Sequence, residues 1–326
     1  MRRYCPTARA RMGSAHCLRA LCAVPNHVLH GKHCASHVLS AACALKGHVL
    51  HANHNPAKTL RGQGAHLVAA LHDRGRPLFG YDDVEAITEL QPASARSLVA
   101  GLVRRGLATR LKPGLFLLVP QDLGHEREYL GNPYVVAREL VATTDYYVSH
   151  ASAMEIHQMV TQPQLAVFVT SPKAVRPRMV LGTEFRFVRS KPEHMFGIVE
   201  HWVTKTEKVR VSGRERTVLD GLKHSEHCGG FTEVAKGFWM RRDDIELDRL
   251  VDYALRLDVG AVIQRLGFLL ETFEEQDPER LERLRQRIPA SYAPVDPLLP
   301  AEGPTNTRWR LHLNVEPEEI LSIVGT

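Results

Sequence analysis

Acidic residues are missing from the first 72 positions; Asp73 is the first carboxylate of the 326-residue chain. From about residue 126 onward acids outnumber bases, so the net charge of +6 is a property of the N-terminal part. A local excess of positive charge fits a polyanionic partner, because neutralised phosphates release counterions. No run of about 18 apolar residues occurs, which excludes a hydrophobic membrane-spanning helix. The opening "MRRYCPTARARMGSAHCLRALCAVP" is basic, but Arg19 interrupts its apolar patch. It does not read as a secretory signal, and a cytoplasmic protein is expected. The familiar signatures GxxxxGK[ST], GxGxxG after a strand, HExxH and GxSxG are all missing. No cofactor and no enzymatic activity are expected.

Cysteine is nearly absent after residue 58. Cys5, Cys17, Cys22, Cys34 and Cys43 lie before it, together with eight histidines from His16 to His54. Thiolates and imidazoles are zinc's preferred ligands, yet the spacing supplies no paired knuckles. The tripeptide "HVL" recurs at 27–29, 37–39 and 48–50. Residues 1–58 are expected to be a disordered extension, or an upstream stretch translated from too early a start. Disulfides are not expected in a cytoplasmic chain.

Order begins near residue 62. "GQGAHLVAALHDRG" has helical spacing and ends on Gly75. "RPLFG" suits a short strand, and Asp82 or Asp83 can cap a helix over "YDDVEAITEL". Pro92 then opens "PASARSLVAGLVRRG", with Ala95, Leu98, Val99, Leu102 and Val103 on one stripe. The opposite face carries Ser94, Arg96, Ser97, Gly101, Arg104 and Arg105 without an acid. "LATRL" and "LFLLV" flank "KPG", a turn between two strands.

Helix, strand, helix, helix and hairpin in about 60 residues describe a winged helix-turn-helix. Its third helix is expected in the major groove, with Ser94, Arg96 and Ser97 near base edges. Arg104 and Arg105 at the helix end also belong to the expected DNA-binding surface, and Arg110 and Lys112 of the wing are expected near phosphates. Arginines at a helix C-terminus also stabilise the helix dipole without any DNA. The constellation therefore carries more weight than either arginine.

The remainder alternates between elements. "PYVVARELVATTDYYVSHASAMEIHQMV" reads as two helices, the second opening near Ser149. "LAVFVTS", "TEFRFVRS" and "FGIVEHWVTKTEKVRVS" read as strands, and "GRERTVLDGL" starts a helix. From Thr232 the pattern is helical, and "RWRLHLNV" alternates again and is expected to return to the sheet. His150 and His157, seven apart with Glu155 between them, share one helical face, but further metal ligands are not evident. Asp220 is expected to play a structural role, satisfied by backbone or by Arg216. The fold class is α+β: a disordered or spurious segment 1–58, a winged helix-turn-helix at 59–122, and an α/β domain at 123–326 with a helical C-terminal part.

The runs "YLGNPYVVARELV", "YYVSHASAMEIHQMVTQPQLAVFVTSPK", "FRFV", "KVRVSGRERTVLDGL", "EVAKGFWM" and "RWRLHLNV", with the "KPGLFLLVP" wing, resemble the AbiEi-type antitoxins of type IV toxin–antitoxin systems. The resemblance spans about 62–320 and leaves out residues 1–58. It implies a transcriptional autorepressor that binds inverted repeats in its own promoter, as a dimer or cooperatively. It also implies an antitoxin that counteracts a nucleotidyltransferase-like toxin without a stable complex, in a system associated with phage defence. An alternative from a different class is a DNA-processing enzyme, a nuclease-like α/β domain guided by the winged helix. That reading needs clustered acids and a lysine, whereas Asp145, Asp220 and Lys205 are scattered in sequence. A third reading makes the winged helix a protein-docking module.

Overall fold

The computed structural model describes residues 60, 62–120, 129–275 and 277–324. The expectations for residues 1–58 lie outside them. The protein is a mixed α/β fold.

Helix α1 spans Gln63–Asp73 and buries Leu67 and Leu71. It stops at Gly75, whose φ of 60° lies in the left-handed region, while Gly75 N–H and Arg76 N–H close back on His72 and Leu71 carbonyls. Such an end favours glycine, which has no Cβ to strain. Strand β1, Leu78–Gly80, leads straight into α2, Tyr81–Thr88. Neither Asp82 nor Asp83 is the cap residue. Gly80 holds that position, and Asp83 reaches back so that its Oδ2 accepts from Gly80 N–H at 2.7 Å. Helix α3, Pro92–Arg104, has Pro92 in its first turn and buries Ala95, Val99 and Leu102. Strands β2, Ala108–Lys112, and β3, Leu115–Leu118, form a hairpin around Pro113-Gly114, with Gly114 at φ 79°. Proline followed by a positive-φ glycine is the chemistry of a type II turn. β3 pairs with both β1 and β2, giving an antiparallel sheet ordered β1-β3-β2. Phe116 packs between Phe79 and Tyr81, with ring centres 5.7 and 5.2 Å away.

Across the boundary expected at 122, apolar packing is continuous. Leu111 and Leu117 of the hairpin share one buried cluster with Val136, Leu140, Tyr146, Val169 and Phe185. Most of those partners lie on α4, Pro133–Val141, and on a six-stranded sheet. α4 begins at Asn132, whose Oδ1 accepts from Tyr134 and Val135 N–H groups.

The large sheet has the order β6-β7-β5-β4-β9-β8. Its strands are β4 Tyr147–Val148, β5 Ala166–Ser171, β6 Arg178–Val180, β7 Thr183–Arg189, β8 Ile198–Trp202 and β9 Lys208–Ser212. The β7–β5 and β4–β9 pairs are parallel; the other pairs are antiparallel. Helix α5, His150–Ile156, follows β4 after Ser149, as expected.

Helix α6, Arg214–Lys223, is buried from Glu215 to Leu222 and packs on α5, on α7 (Phe231–Met240), on α8 (Leu247–Leu257) and on α9 (Gly260–Thr272). Helix α10, Pro278–Arg285, lies against α8 and α9. "RWRLHLNV" does not return to the large sheet. It supplies β12, Leu311–His312, the central strand of a separate small sheet with β10, Ala293–Pro294, and β11, Thr305–Asn306. Its side chains alternate because Trp309 and Leu311 anchor the helical core rather than a sheet face. Helix α11, Pro317–Val324, closes the described chain against α7 and α9.

Trp309 is fully buried and donates from Nε1 to Glu271 Oε2 at 2.6 Å. The indole lies flat against Gly267 of α9, so close that a Cβ there would sit 2.0 Å from a ring carbon. Interiors have no slack for such an overlap. Gly267→Ala is therefore expected to lower stability by about 3 kcal/mol, read as a lower urea midpoint at unchanged slope. A midpoint equal to wild type would mean that the indole moves aside at no cost.

Candidate functional site

Two regions concentrate the residues with chemical potential. The first is the solvent face of α3. Its buried stripe leaves Gln91, Pro92, Ala93, Ser94, Arg96, Ser97, Ala100 and Arg104 exposed. Among them Ser94 and Ser97 are short enough to let a partner approach the backbone. Arg96 lies over the Tyr81 ring of α2, its guanidinium carbon 6.0 Å from the ring centre. That contact favours one direction for a long, otherwise free side chain. Arg104 is in the last turn. Arg110 is exposed on β2, directly across from Phe116, at the start of a register shift.

Arg105 and Lys112 are placed differently from the other five. Arg105 is half-buried and donates from Nε to Gly101 O at 3.1 Å, with its guanidinium beside Gly64 of α1. Lys112 is also half-buried, and its Nζ donates to the carbonyl of Glu139 on α4. Burial lowers its pKa, with Arg178 and Lys173 pushing the same way against Glu139. Sequence gives no hint of this, since Glu139 lies 27 positions further along the chain. If the hairpin contacts DNA, Arg110→Ala would reduce the salt slope of that binding by about one phosphate contact, while Lys112→Ala would leave the slope unchanged. Fluorescence anisotropy at several salt concentrations separates the two, and an equal drop for both would reverse this assignment.

The second region lies where α5 and α6 meet the large sheet. Asp220 is buried, and its Oδ1 accepts from Arg216 Nε at 2.9 Å. Arg216 Nη2 also donates to Tyr147 Oη at 3.1 Å. The guanidinium lies over Phe196, 4.6 Å from its ring centre. The i,i+4 spacing on α6 brings the pair together, and β4 presents the tyrosine. Burial and the neighbouring Asp220 carboxylate push the Tyr147 hydroxyl's pKa well above its ordinary range. Arg216 Nη1 and Asp220 Oδ2 have no hydrogen-bond partner among the described residues. Asp145 and Lys205 are exposed on separate turns and do not join this buried pair.

His150 and His157 do not act together. α5 ends at Ile156, and His157 turns away, its Nε2 2.6 Å from Ser212 O. His150 instead sits beside two histidines from the segment after α6. Its ring centre is 5.9 Å from His224 and 5.2 Å from His227. Burial lowers the His150 pKa to about 3, outweighing the Asp220 charge that favours protonation. Its backbone has φ 52°, a strained region that histidine tolerates better than most residues. Sequence spacing missed His224 and His227 because five strands, helix α6 and 70 or more positions separate them from His150.

The chain matches no protein-family model and no curated protein. A solved structure, that of the RV2827C protein from Mycobacterium tuberculosis, is similar in fold, with a TM-score of 0.60 at 15% sequence identity. The match covers 82% of this chain and 96% of that one. At that identity the likeness concerns the fold.

Proposed function

We propose that this chain is a DNA-binding transcriptional repressor and the antitoxin of a type IV toxin–antitoxin system. Residues 62–118 act as a winged helix-turn-helix: α3 reads the major groove and the β2–β3 hairpin is the wing. The observation that carries this reading is the exposed, acid-free face formed by Ser94, Arg96, Ser97 and Arg104 on α3, with Arg110 on the adjoining hairpin. Arginine pairs bidentately with guanine, and serines allow close approach to bases and phosphates. The operator is an inverted repeat in the protein's own promoter, bound by two copies. The remaining α/β part carries the antitoxin activity and counteracts a nucleotidyltransferase-like toxin without a stable complex. The exposed Asp145 and Lys205 and the buried, arginine-paired Asp220 do not favour a nuclease centre.

Titration of the full chain against its upstream promoter and a scrambled duplex of equal length tests the DNA reading. Specific binding about 1,000-fold tighter than the scrambled control is expected. Equal affinity for both duplexes would instead favour a protein-docking role for α3. Co-expression with a neighbouring nucleotidyltransferase-like reading frame tests the second half. Growth is expected to be restored, and no complex is expected to survive gel filtration.

A further inference from the structure

The histidines beside the Arg216–Asp220 pair lie on α5 and after α6, outside α3 and the hairpin, and they form a built site. After α6 the chain makes a 3-10 turn, Ser225–His227, with His224 at its start. A 3-10 turn has three residues per turn, so side chains three apart are eclipsed. His224 and His227 accordingly stack, with ring centres 5.7 Å apart and planes inclined by 27°. Glu226 lies between them, and its Oε1 is 3.1 Å from His224 Nδ1. One ligand atom from each of His224, Glu226 and His227 lies within 4.8 Å of the others.

His150 faces this trio from α5, and it supplies a separate observation. Its side chain is 1% exposed. Its Nδ1 is 2.8 Å from Ser149 Oγ, which also accepts from Thr170 Oγ1 at 2.8 Å. That leaves Nε2 as its remaining nitrogen, buried and without a partner among the described residues; His227 Nδ1 is in the same condition. Two orphaned imidazole nitrogens in one cluster are costly unless something is bound there. A metal-ligating histidine has such an outer hydrogen bond; with Nδ1 donating to Ser149 Oγ, the lone pair is on Nε2. Phe168 forms an apolar floor, 5.2 Å from the His227 ring centre.

We propose that His150, His224, His227 and Glu226 bind a divalent transition ion of the zinc class. Imidazoles bound to one tetrahedral zinc at about 2.0–2.1 Å have ring centres about 5 Å apart. The observed ring separations of 5.2, 5.7 and 5.9 Å lie close to that spacing, and His224 and His227, which are partly exposed, have room to adjust. Three nitrogens and one carboxylate oxygen suit zinc or cobalt better than magnesium, which takes oxygen ligands. The ion would tie the start of α5 to the connection between α6 and α7, and it is independent of the DNA-binding reading.

Cobalt(II) added to the full chain is the direct probe, because a tetrahedral site absorbs visibly and a thiolate ligand adds a charge-transfer band in the near ultraviolet. One equivalent with visible bands and no thiolate band is expected. His227→Ala and His224→Ala each remove a direct ligand and are expected to weaken cobalt binding by more than the about 10–100-fold that losing an outer-shell partner costs. Both side chains are partly exposed, so these variants should fold, and near-ultraviolet circular dichroism verifies that. Replacing Cys5, Cys17, Cys22, Cys34 and Cys43 together by serine is expected to leave the spectrum intact. No visible band, an undiminished band in both histidine variants, or loss of the band in the five-serine variant would each overturn the proposal.

Discussion

Replacing Arg96 and Arg104 together by alanine is expected to weaken promoter binding by about 100-fold at moderate salt, from about 1–3 kcal/mol for a base-reading arginine plus a lost phosphate contact. The two changes should act differently. Arg96 is in the first half of α3 and is directed by Tyr81, so Arg96→Ala should relax discrimination between the operator and its point variants. Arg104 sits in the last turn, so Arg104→Ala should lower affinity for all duplexes alike and reduce the salt slope by about 0.9. Removing Arg104 also takes a favourable charge from the helix C-terminus, a loss of about 0.3–1 kcal/mol of stability. Thermal melting of the free variants must therefore accompany the binding curves. If the double variant keeps wild-type affinity and slope while remaining folded, α3 is not the reading helix.

Asp220→Ala is expected to destabilise the fold by about 3–5 kcal/mol, because it leaves the Arg216 guanidinium buried without its counter-ion. The side chains of the pair are 1% and 4% exposed, so solvent cannot take over the lost partner. An apolar replacement of both, Arg216→Met with Asp220→Leu, should recover much of that loss, since a buried ion pair is costly to desolvate. Urea denaturation of the two variants decides the matter. Near-wild-type stability in Asp220→Ala would remove the structural role assigned here and reopen a chemical one.

Much of this architecture is legible in the sequence, and the exceptions have physical causes. α3 announces itself through Pro92 in its first turn, a five-residue apolar stripe and a terminating Gly106, all local signals. β5 and β7 are equally plain, being short and β-branched or alternating. β4 escapes because only Tyr147 and Val148 form it, and two residues carry no period. Its place in the middle of the sheet depends on partners at Val169 and Val211. The exposed face of α3 follows from periodicity, whereas the attachment of Lys112 to Glu139 depends on tertiary packing. The helical spacing of His150 and His157 misleads because α5 stops one residue short of the second. His224 and His227 carry a spacing of three that becomes informative only once the turn between them is known to be 3-10.

The buried seam formed by Leu111 and Leu117 bears on operator geometry. A hairpin whose inner side chains lie in the core of the next sheet cannot swivel on its own, so α3 keeps a fixed bearing relative to the rest of each copy. Two copies on an inverted repeat would then have little freedom to follow a changed half-site spacing. Inserting about five base pairs, half a turn of B-DNA, puts the second half-site on the opposite side of the duplex; about ten restores the face. Repression should therefore rise and fall with helical phase as spacer length changes, the behaviour of a rigid caliper rather than of two reading heads on a tether.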